Sequence, residues 1–233
     1  MYRIFICLII SAHSIVASSQ TEMNITTAVG NSEGTFSVLL GKDWDLWKKK
    51  KFGVGVGMRF TSYVGANQYY TTAPAKLTSG KTGLSVIFTE DIIENIDTFL
   101  IKSPQVNSLN LMINLRYKFN EKFLVGFNID AIGFSFGASK KGNYINGVEG
   151  SMTSAKPTSF NILLTSDNDI GSLNSELYGK YFFNSTWGVK LAAQFHFTEY
   201  TTDVEVQQYP EPNDRFRNKS FMIALGVAFK FKN

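Results

Sequence analysis

The sequence has little charge, one cysteine and no long apolar run, and each scarcity excludes a class of protein. Charged residues make up 18% of the 233 residues and aromatic residues 14%, which excludes a disordered chain. The formal net charge of +4 is too small and too dispersed to indicate a nucleic-acid partner. The mean hydropathy is -0.05, and no apolar run approaches the roughly 18 residues of a membrane-spanning helix. The length favours one domain.

Residues 1–19 have the pattern of a secretory signal peptide. Arg3 precedes the apolar stretch Ile4–Ile10, and small residues at 17–19 suit cleavage before Gln20. The alternative is a buried N-terminal strand. Cys7, the only cysteine, lies inside this segment, so a mature chain of 20–233 has no disulfide framework.

Beyond the leader, apolar residues alternate with small or polar ones, as in strands with one apolar face. Odd positions of 187–198 hold Trp, Val, Leu, Ala and Phe, whereas even positions hold Gly, Lys, Ala, Gln, His and Thr. Similar runs occupy 52–65, 109–119, 123–137, 173–183 and 221–231. A tilted membrane-crossing strand needs roughly nine to eleven residues, and these runs are long enough. The five prolines all lie outside the runs, as strand pairing requires.

One run changes phase. Its apolar residues are odd-numbered up to Ile129 and even-numbered from Ile132 onward. An extra residue in a paired strand causes such a shift, so the sequence predicts a β-bulge near Ala131.

The connections between runs alternate in length. Tight turns at 120–122 and 184–185 contrast with long polar stretches at about 66–106, 138–170 and 200–218. Transmembrane barrels have this asymmetry, with short periplasmic turns and long extracellular loops. With two further strands at 23–29 and 35–42, both chain ends fall on the periplasmic side. The sequence therefore predicts an all-β fold, a closed antiparallel transmembrane β-barrel of about eight strands over 20–233.

The alternative architecture is a soluble secreted barrel of the lipocalin type with its faces inverted. In that fold the small and polar face would contact water. Here that face carries many glycines, such as Gly53, Gly55 and Gly57, with single charges between them. Aromatic residues also gather where runs end, as they do at lipid–water borders. Both features favour the membrane barrel.

The leader, the alternating strands and the aromatic final strand Phe221–Phe231 resemble the small outer-membrane β-barrel proteins of Gram-negative bacteria. The nearest are OmpA/OmpX-like eight-stranded barrels, particularly those of Bacteroidota. The resemblance implies location in the cell outer membrane, contact with outer-membrane lipids and insertion by the barrel-assembly machinery. One departure is that Lys232 and Asn233 follow Phe231, whereas the group typically ends on an aromatic residue.

The face predicted to line the interior carries seven titratable residues. Buried charges are costly unless they are paired, so Arg59 and Arg116 are expected to contact Asp130 and Glu176. We predict a salt-bridged lumen too narrow to conduct, in a protein with a structural or surface-interaction role. The alternative is a channel or transporter for small or amphipathic solutes. The predicted lumen residues are Arg59, Arg116, Asp130, Glu176, Lys180, Lys190 and His196.

A lipid-modifying enzyme is the third hypothesis, with His196 and Glu199 as base and orienting group beside a serine. The two residues differ in strand parity, so we expect no catalytic site. The segment Ser166–Ser172 imitates a calcium loop but is one position short of the spacing, which favours an Asx-type turn. No metal or cofactor is predicted.

Three features of the connections carry further predictions. Helical spacing of apolar residues over Thr89–Ile101 predicts a short amphipathic helix. The run Lys48–Lys51 is predicted to be a periplasmic turn that faces lipid headgroups. Tyrosines in the long loops could form a surface for an extracellular ligand; these are Tyr69, Tyr70, Tyr144, Tyr200 and Tyr209.

Overall fold

The computed structural model describes residues 16–47, 49–81, 89–145 and 151–232. Most of the predicted leader lies outside these ranges, and the leader stays a prediction. The described chain forms a single antiparallel sheet of 13 strands. The strands are β1 (Val16–Val29), β2 (Glu33–Leu46), β3 (Phe52–Gly65), β4 (Gln68–Thr72), β5 (Thr98–Ile101), β6 (Gln105–Lys118), β7 (Phe123–Phe136), β8 (Lys140–Tyr144), β9 (Met152–Pro157), β10 (Phe160–Ile162), β11 (Leu173–Phe182), β12 (Trp187–Thr202) and β13 (Arg215–Lys230).

Eight long strands close into a ring, which we call the barrel. In order around the ring they are β1, β2, β3, β6, β7, β11, β12 and β13, and β13 pairs with β1. Because the ring closes, the backbone of these strands finds partners on both sides and no long edge is left unpaired.

Four short strands form a second ring on one end of the barrel, which we call the cap. Strands β4, β5, β8 and β9 close a ring with the projecting ends of β12 and β13, and β10 pairs with β7. The predicted count of about eight strands is therefore wrong for the sheet, which has 13 in the described ranges. Segments predicted as loops pair instead, because their backbone groups need hydrogen-bond partners.

The opposite end of the barrel, which we call the turn end, carries the tight turns that the sequence predicts. The Asn120 side chain accepts hydrogen bonds from the backbone N–H groups of Lys122 and Phe123 at 2.8 and 2.9 Å. Asn184 does the same for Thr186 and Trp187, both at 2.8 Å. Asparagine stabilises such turns because its short side chain caps the backbone locally.

The predicted bulge at Ala131 is confirmed. Leu111 on β6 pairs with Ile132 on β7, whereas the next residue, Met112, pairs with Asp130. Ala131 is the extra residue, and it shifts the phase so that both Asp130 and Ser135 face the interior.

The two faces of the barrel strands differ sharply in exposure. Leu191 and Leu225 on the outer face are 57% and 64% exposed, whereas the neighbouring Ala192 and Ala224 are 3% and 0% exposed. The period of two predicted this division. Within the described ranges, no helix is long and apolar enough to cross a membrane.

The helix predicted over Thr89–Ile101 is wrong. Among the described residues of the preceding connection, 75–78 form one α-helical turn, α1 (Ala75–Thr78). Residues 93–95 form a 3-10 turn, and β5 follows it. Phe99 and Ile101 alternate into the cap, because β5 pairs with β4 on one side and β8 on the other.

The cap has an apolar core that lies across the interior of the barrel. Tyr63 of β3 and Val106 of β6 project from the barrel into it. Tyr70, Tyr144 and Tyr200 are buried here, so they are not the surface tyrosines that the sequence suggested, although Tyr69 and Tyr209 are exposed. The core consists of Tyr63, Tyr70, Phe99, Ile101, Val106, Tyr144, Ala155, Tyr200 and Phe216.

Phe99→Ala should loosen the cap and leave the barrel intact. Removal of a buried phenylalanine costs about 3–5 kcal/mol, and Phe99 is fully buried in the cap core. Hydrogen exchange of the β4, β5 and β8 amides should accelerate, while that of β2 and β3 should not. Ile93→Ala is the control, because Ile93 is 79% exposed in the same connection. Equal exchange in the two variants would contradict the cap as an independent core.

Candidate functional site: the barrel interior

Arg59 lies at the centre of the interior. Its guanidinium donates to the Asp130 carboxylate at 2.6 and 2.9 Å, to the Glu176 carboxylate at 3.0 Å and to the Asn128 side chain at 2.8 Å. Arg59 is 1% exposed and both acids are 0% exposed. One cation thus connects β3 to β7 and β11.

Lys190 and Asn110 complete this group, which we call the central network. The Lys190 ammonium contacts Glu176 at 2.6 Å, and the Asn110 amide donates to Asp130 at 2.8 Å. The central network holds two cations, Arg59 and Lys190, against two carboxylates. Equal opposite charge is what burial of such groups requires.

Arg116 does not contact Asp130 or Glu176, so that part of the predicted pairing is wrong. It lies near Asp43 and Asp45 of β2, at 3.4 and 2.7 Å. Gly53 of β3 lies between Arg116 and these two acids. A Cβ at this position would lie 2.6 Å from the Arg116 Nε, so a larger residue would block the arginine. Glycine leaves room for the arginine to reach across β3 toward β2. Lys118 also contacts Asp45, at 2.8 Å.

Lys180 forms a separate buried ion pair with Glu22 of β1. The Tyr178 hydroxyl beside it donates to Asn114 at 2.7 Å, and the Asn114 amide donates to Asp43 at 2.7 Å. Lys180 also lies 4.7 Å from the centre of the Tyr178 ring, a favourable cation–π position.

The sequence prediction missed Glu22, Asp43 and Asp45. The alternation along β2 could have found two of them, because Asp43 and Asp45 are odd-numbered, like the other inward-facing residues of that strand. The predicted strands covered 23–29 and 35–42, whereas β1 and β2 extend to Val16 and Leu46. All three acids lie in the parts that the shorter strands omitted.

His196 and Glu199 lie on opposite faces of β12. His196 is 1% exposed in the interior, and its ring centre is 5.5 Å from that of Tyr63. Glu199 lies on the opposite face, where it is 0% exposed and contacts Arg215 and Arg217 of β13 at 2.8 and 2.9 Å. The structure does not bring the two residues together as a catalytic pair.

The segment Ser166–Ser172 forms a turn rather than a metal loop. Residues 166–168 are a 3-10 turn, and the Asp167 carboxylate contacts Lys219 at 2.7 Å. Asp169 accepts the Leu164 N–H at 2.6 Å, and burial raises the pKa of its carboxyl. No cluster of three or more metal-binding side chains occurs in the part of the chain that the structure describes.

One cavity of the interior is small. A cavity of about 10 Å³ lies between Met112, Asn128 and Lys180, about what one water molecule needs. The central network lies on one side of it. The arrangement can hold charges in place across the interior.

Comparisons with known proteins give weak likenesses to outer-membrane proteins. The Neisserial surface protein A has a TM-score of 0.40 and 9% identity, over 91% of this chain and 96% of that one. The attachment invasion locus protein Ail of Yersinia pestis has a TM-score of 0.38 and 9% identity, over 91% and 97%. A major outer membrane protein of Thermus thermophilus has 0.40 and 8%, over 92% and 100%.

Similarity at this level assigns neither a family nor a function. No protein-family model matches the chain, and no curated protein does. The functional conclusion therefore depends on the geometry of the chain itself.

Asp130→Ala should destabilise the protein without opening a pore. Loss of one partner of a buried ion pair costs about 3–5 kcal/mol, so the midpoint of urea unfolding in detergent should fall clearly. Single-channel current in planar bilayers should not change. Lys76→Ala removes an exposed pair with Glu211, in which the side chains are 65% and 53% exposed, and should leave stability unchanged. A large gain in current for Asp130→Ala would show that the central network blocks a channel.

Proposed function

We propose that this chain is an integral outer-membrane protein whose barrel is a non-conducting scaffold that holds the cap at the cell surface. The observation that carries the proposal is an apolar belt on the closed barrel. Every barrel strand contributes an outward apolar side chain that is between 38% and 64% exposed. One from each strand is Ile25, Leu40, Val56, Ile113, Phe127, Leu177, Leu191 and Leu225.

Such a belt is incompatible with water as the surrounding solvent. Soluble monomers rarely expose contiguous apolar patches larger than a few hundred square ångströms, whereas lipid-facing barrel strands are apolar outward and polar inward. A soluble barrel of the lipocalin type would need the opposite arrangement. The buried charges of Arg59, Asp130 and Glu176 fit an interior, not a solvated surface.

The two ends of the barrel support an orientation. The turn end has tight connections, and the other end carries the cap and the three long connections. Barrels of the outer membrane have short periplasmic turns and long extracellular loops. We therefore place the cap outside the cell. Membership of the OmpA/OmpX-like group of Bacteroidota, and insertion by the barrel-assembly machinery, stay part of this proposal.

A structural or surface-interaction role fits this geometry better than transport. The aromatic core of the cap lies over one end of the barrel interior. The central network spans the interior between β3 and β11, on the turn-end side of that core. A channel for small or amphipathic solutes would need both to move. Lipid modification has no observation in its favour, because His196 faces the interior, away from lipid. An extracellular ligand would meet the exposed Tyr69 of β4 and Tyr209 of the connection between β12 and β13.

Cell fractionation and gel migration test the proposal. The protein should sediment with outer membranes, and the folded form should migrate differently before and after boiling in detergent. A folded, monomeric protein in buffer without detergent would overturn the proposal, since the belt would then face water.

An arginine in the belt should destabilise the protein by an amount that depends on depth. At the bilayer midplane the cost is about 2–4 kcal/mol, and near the interfaces it is about 0–1 kcal/mol. Leu191→Arg should thus lower the unfolding free energy in lipid vesicles. Phe183→Arg, in the turn between β11 and β12, should have a much smaller effect. Equal effects at the two positions would argue against a membrane around the barrel.

A further inference from the structure

The turn end carries a cluster of lysines that the interior networks do not use. Lys49, Lys50 and Lys51 lie in the turn between β2 and β3, and Lys118 ends β6. Together with Asn120 and Glu121 they line a cavity of about 360 Å³, large enough for a phosphate-containing headgroup. Lys48 of the predicted headgroup-facing run lies outside the described residues.

The lysines outnumber the acids that face them. The cavity is lined by four described lysines and by two acids, Asp45 and Glu121. Asp45 already contacts Arg116 and Lys118, at 2.7 and 2.8 Å. The ion pairs of the described residues that involve this end join Asp43 and Asp45 to Arg116 and Lys118, not to Lys49, Lys50 or Lys51. The cavity is therefore positive, and its three exposed lysines are available to an anion.

The backbone of this turn is held in an unusual conformation. Trp47 and Lys50 have φ angles of 59° and 51°, which residues other than glycine rarely adopt. The Lys50 N–H donates to the Trp47 carbonyl at 3.1 Å. Unusual backbone conformations of this kind persist only where the surrounding structure enforces them, and they are concentrated at ligand-binding sites.

An aromatic row on the outer face fixes the depth of the cavity. Trp47 contacts Phe52, and Phe52 contacts Tyr117, with ring centres 5.4 and 4.8 Å apart. Phe119 continues the row, 5.0 Å from Tyr117 and 5.3 Å from Phe123. Aromatic girdles mark the border between hydrocarbon and headgroups. The lysines next to the row are thus at headgroup depth.

We propose that this cavity binds the phosphate of an anionic phospholipid in the periplasmic leaflet. The ammonium groups of Lys49, Lys50 and Lys51 would donate to the phosphate oxygens, and the aromatic row would contact the acyl chains. The inference rests on the proposed membrane location. It goes beyond general lipid contact because it assigns a headgroup chemistry to one site.

Trp44 and Trp47 at the turn end of β2 provide a local probe of this site. Trp187 starts β12, four strands from β3 around the ring, so the probe is used in a Trp187→Phe background. In mixed bilayers, brominated lipid next to the turn end quenches the fluorescence of Trp44 and Trp47. The experiment compares brominated phosphatidylglycerol with brominated phosphatidylcholine at equal mole fraction. The wild-type protein should favour the anionic lipid by about fivefold or more, roughly the contribution of one lysine at an anionic surface.

A matched pair of double variants tests the assignment. Lys49→Gln with Lys51→Gln should reduce the preference severalfold, because two of the lysine charges that supply it are removed and Lys50 remains. Lys140→Gln with Lys141→Gln removes the same charge from β8 in the cap and should keep the wild-type preference. An unchanged preference in the first variant, or an equal loss in both, overturns the site.

Two further measurements separate the possible failures. Free glycerol phosphate at constant ionic strength should not relieve the quenching, whereas displacement would indicate a site for soluble phosphates and overturn the lipid assignment. Heat-dependent gel migration of each variant reports insertion. An inserted wild-type protein without lipid preference refutes the lysine site alone, whereas a wild-type protein that does not insert refutes the proposed function.

Discussion

Arg59 joins β3, β7 and β11 across the interior. The pairing of the buried charges around it is the constraint on which the rest of the barrel depends. A strand with a lipid-compatible outer face must put its polar residues inward, where an unpaired charge is costly. The central network meets this constraint with Arg59 and Lys190 against Asp130 and Glu176. Because both signs are balanced inside, the outer face is free to be apolar around the whole ring.

The cap exists because two of the barrel strands extend beyond the closed ring. Strands β12 and β13 stay paired as far as Thr201 and Arg215. The pairing of β11 with β12 ends at Phe197, and that of β1 with β13 ends at Ile223. The projecting edges of β12 and β13 would otherwise be unpaired, and β4 and β9 cover them. The second ring then needs its own core, which the aromatic residues of the connections supply. The interior is thus filled by charge pairs in the barrel and by rings in the cap.

Parity along the sequence was sufficient to predict the long strands, the faces of Arg59 and Glu176, and the bulge at Ala131. It could not predict the cap, because strands of four to six residues such as β5 and β9 contain too few alternations to be distinguished from a helix or a loop. Nor could it predict the partners of Arg116. That pairing depends on space above Gly53, which appears only when β2, β3 and β6 lie side by side.

The central claim is that the apolar face of each barrel strand contacts hydrocarbon. Spin labels at single introduced cysteines in a Cys7→Ser background, placed at Val189, Leu191 and Phe195 on the outer face of β12, test it most directly in lipid bilayers. The structure predicts that these labels collide freely with dissolved oxygen and are shielded from a water-soluble nickel complex. Strong relaxation by the nickel complex at all three positions would place this face in water and contradict the claim.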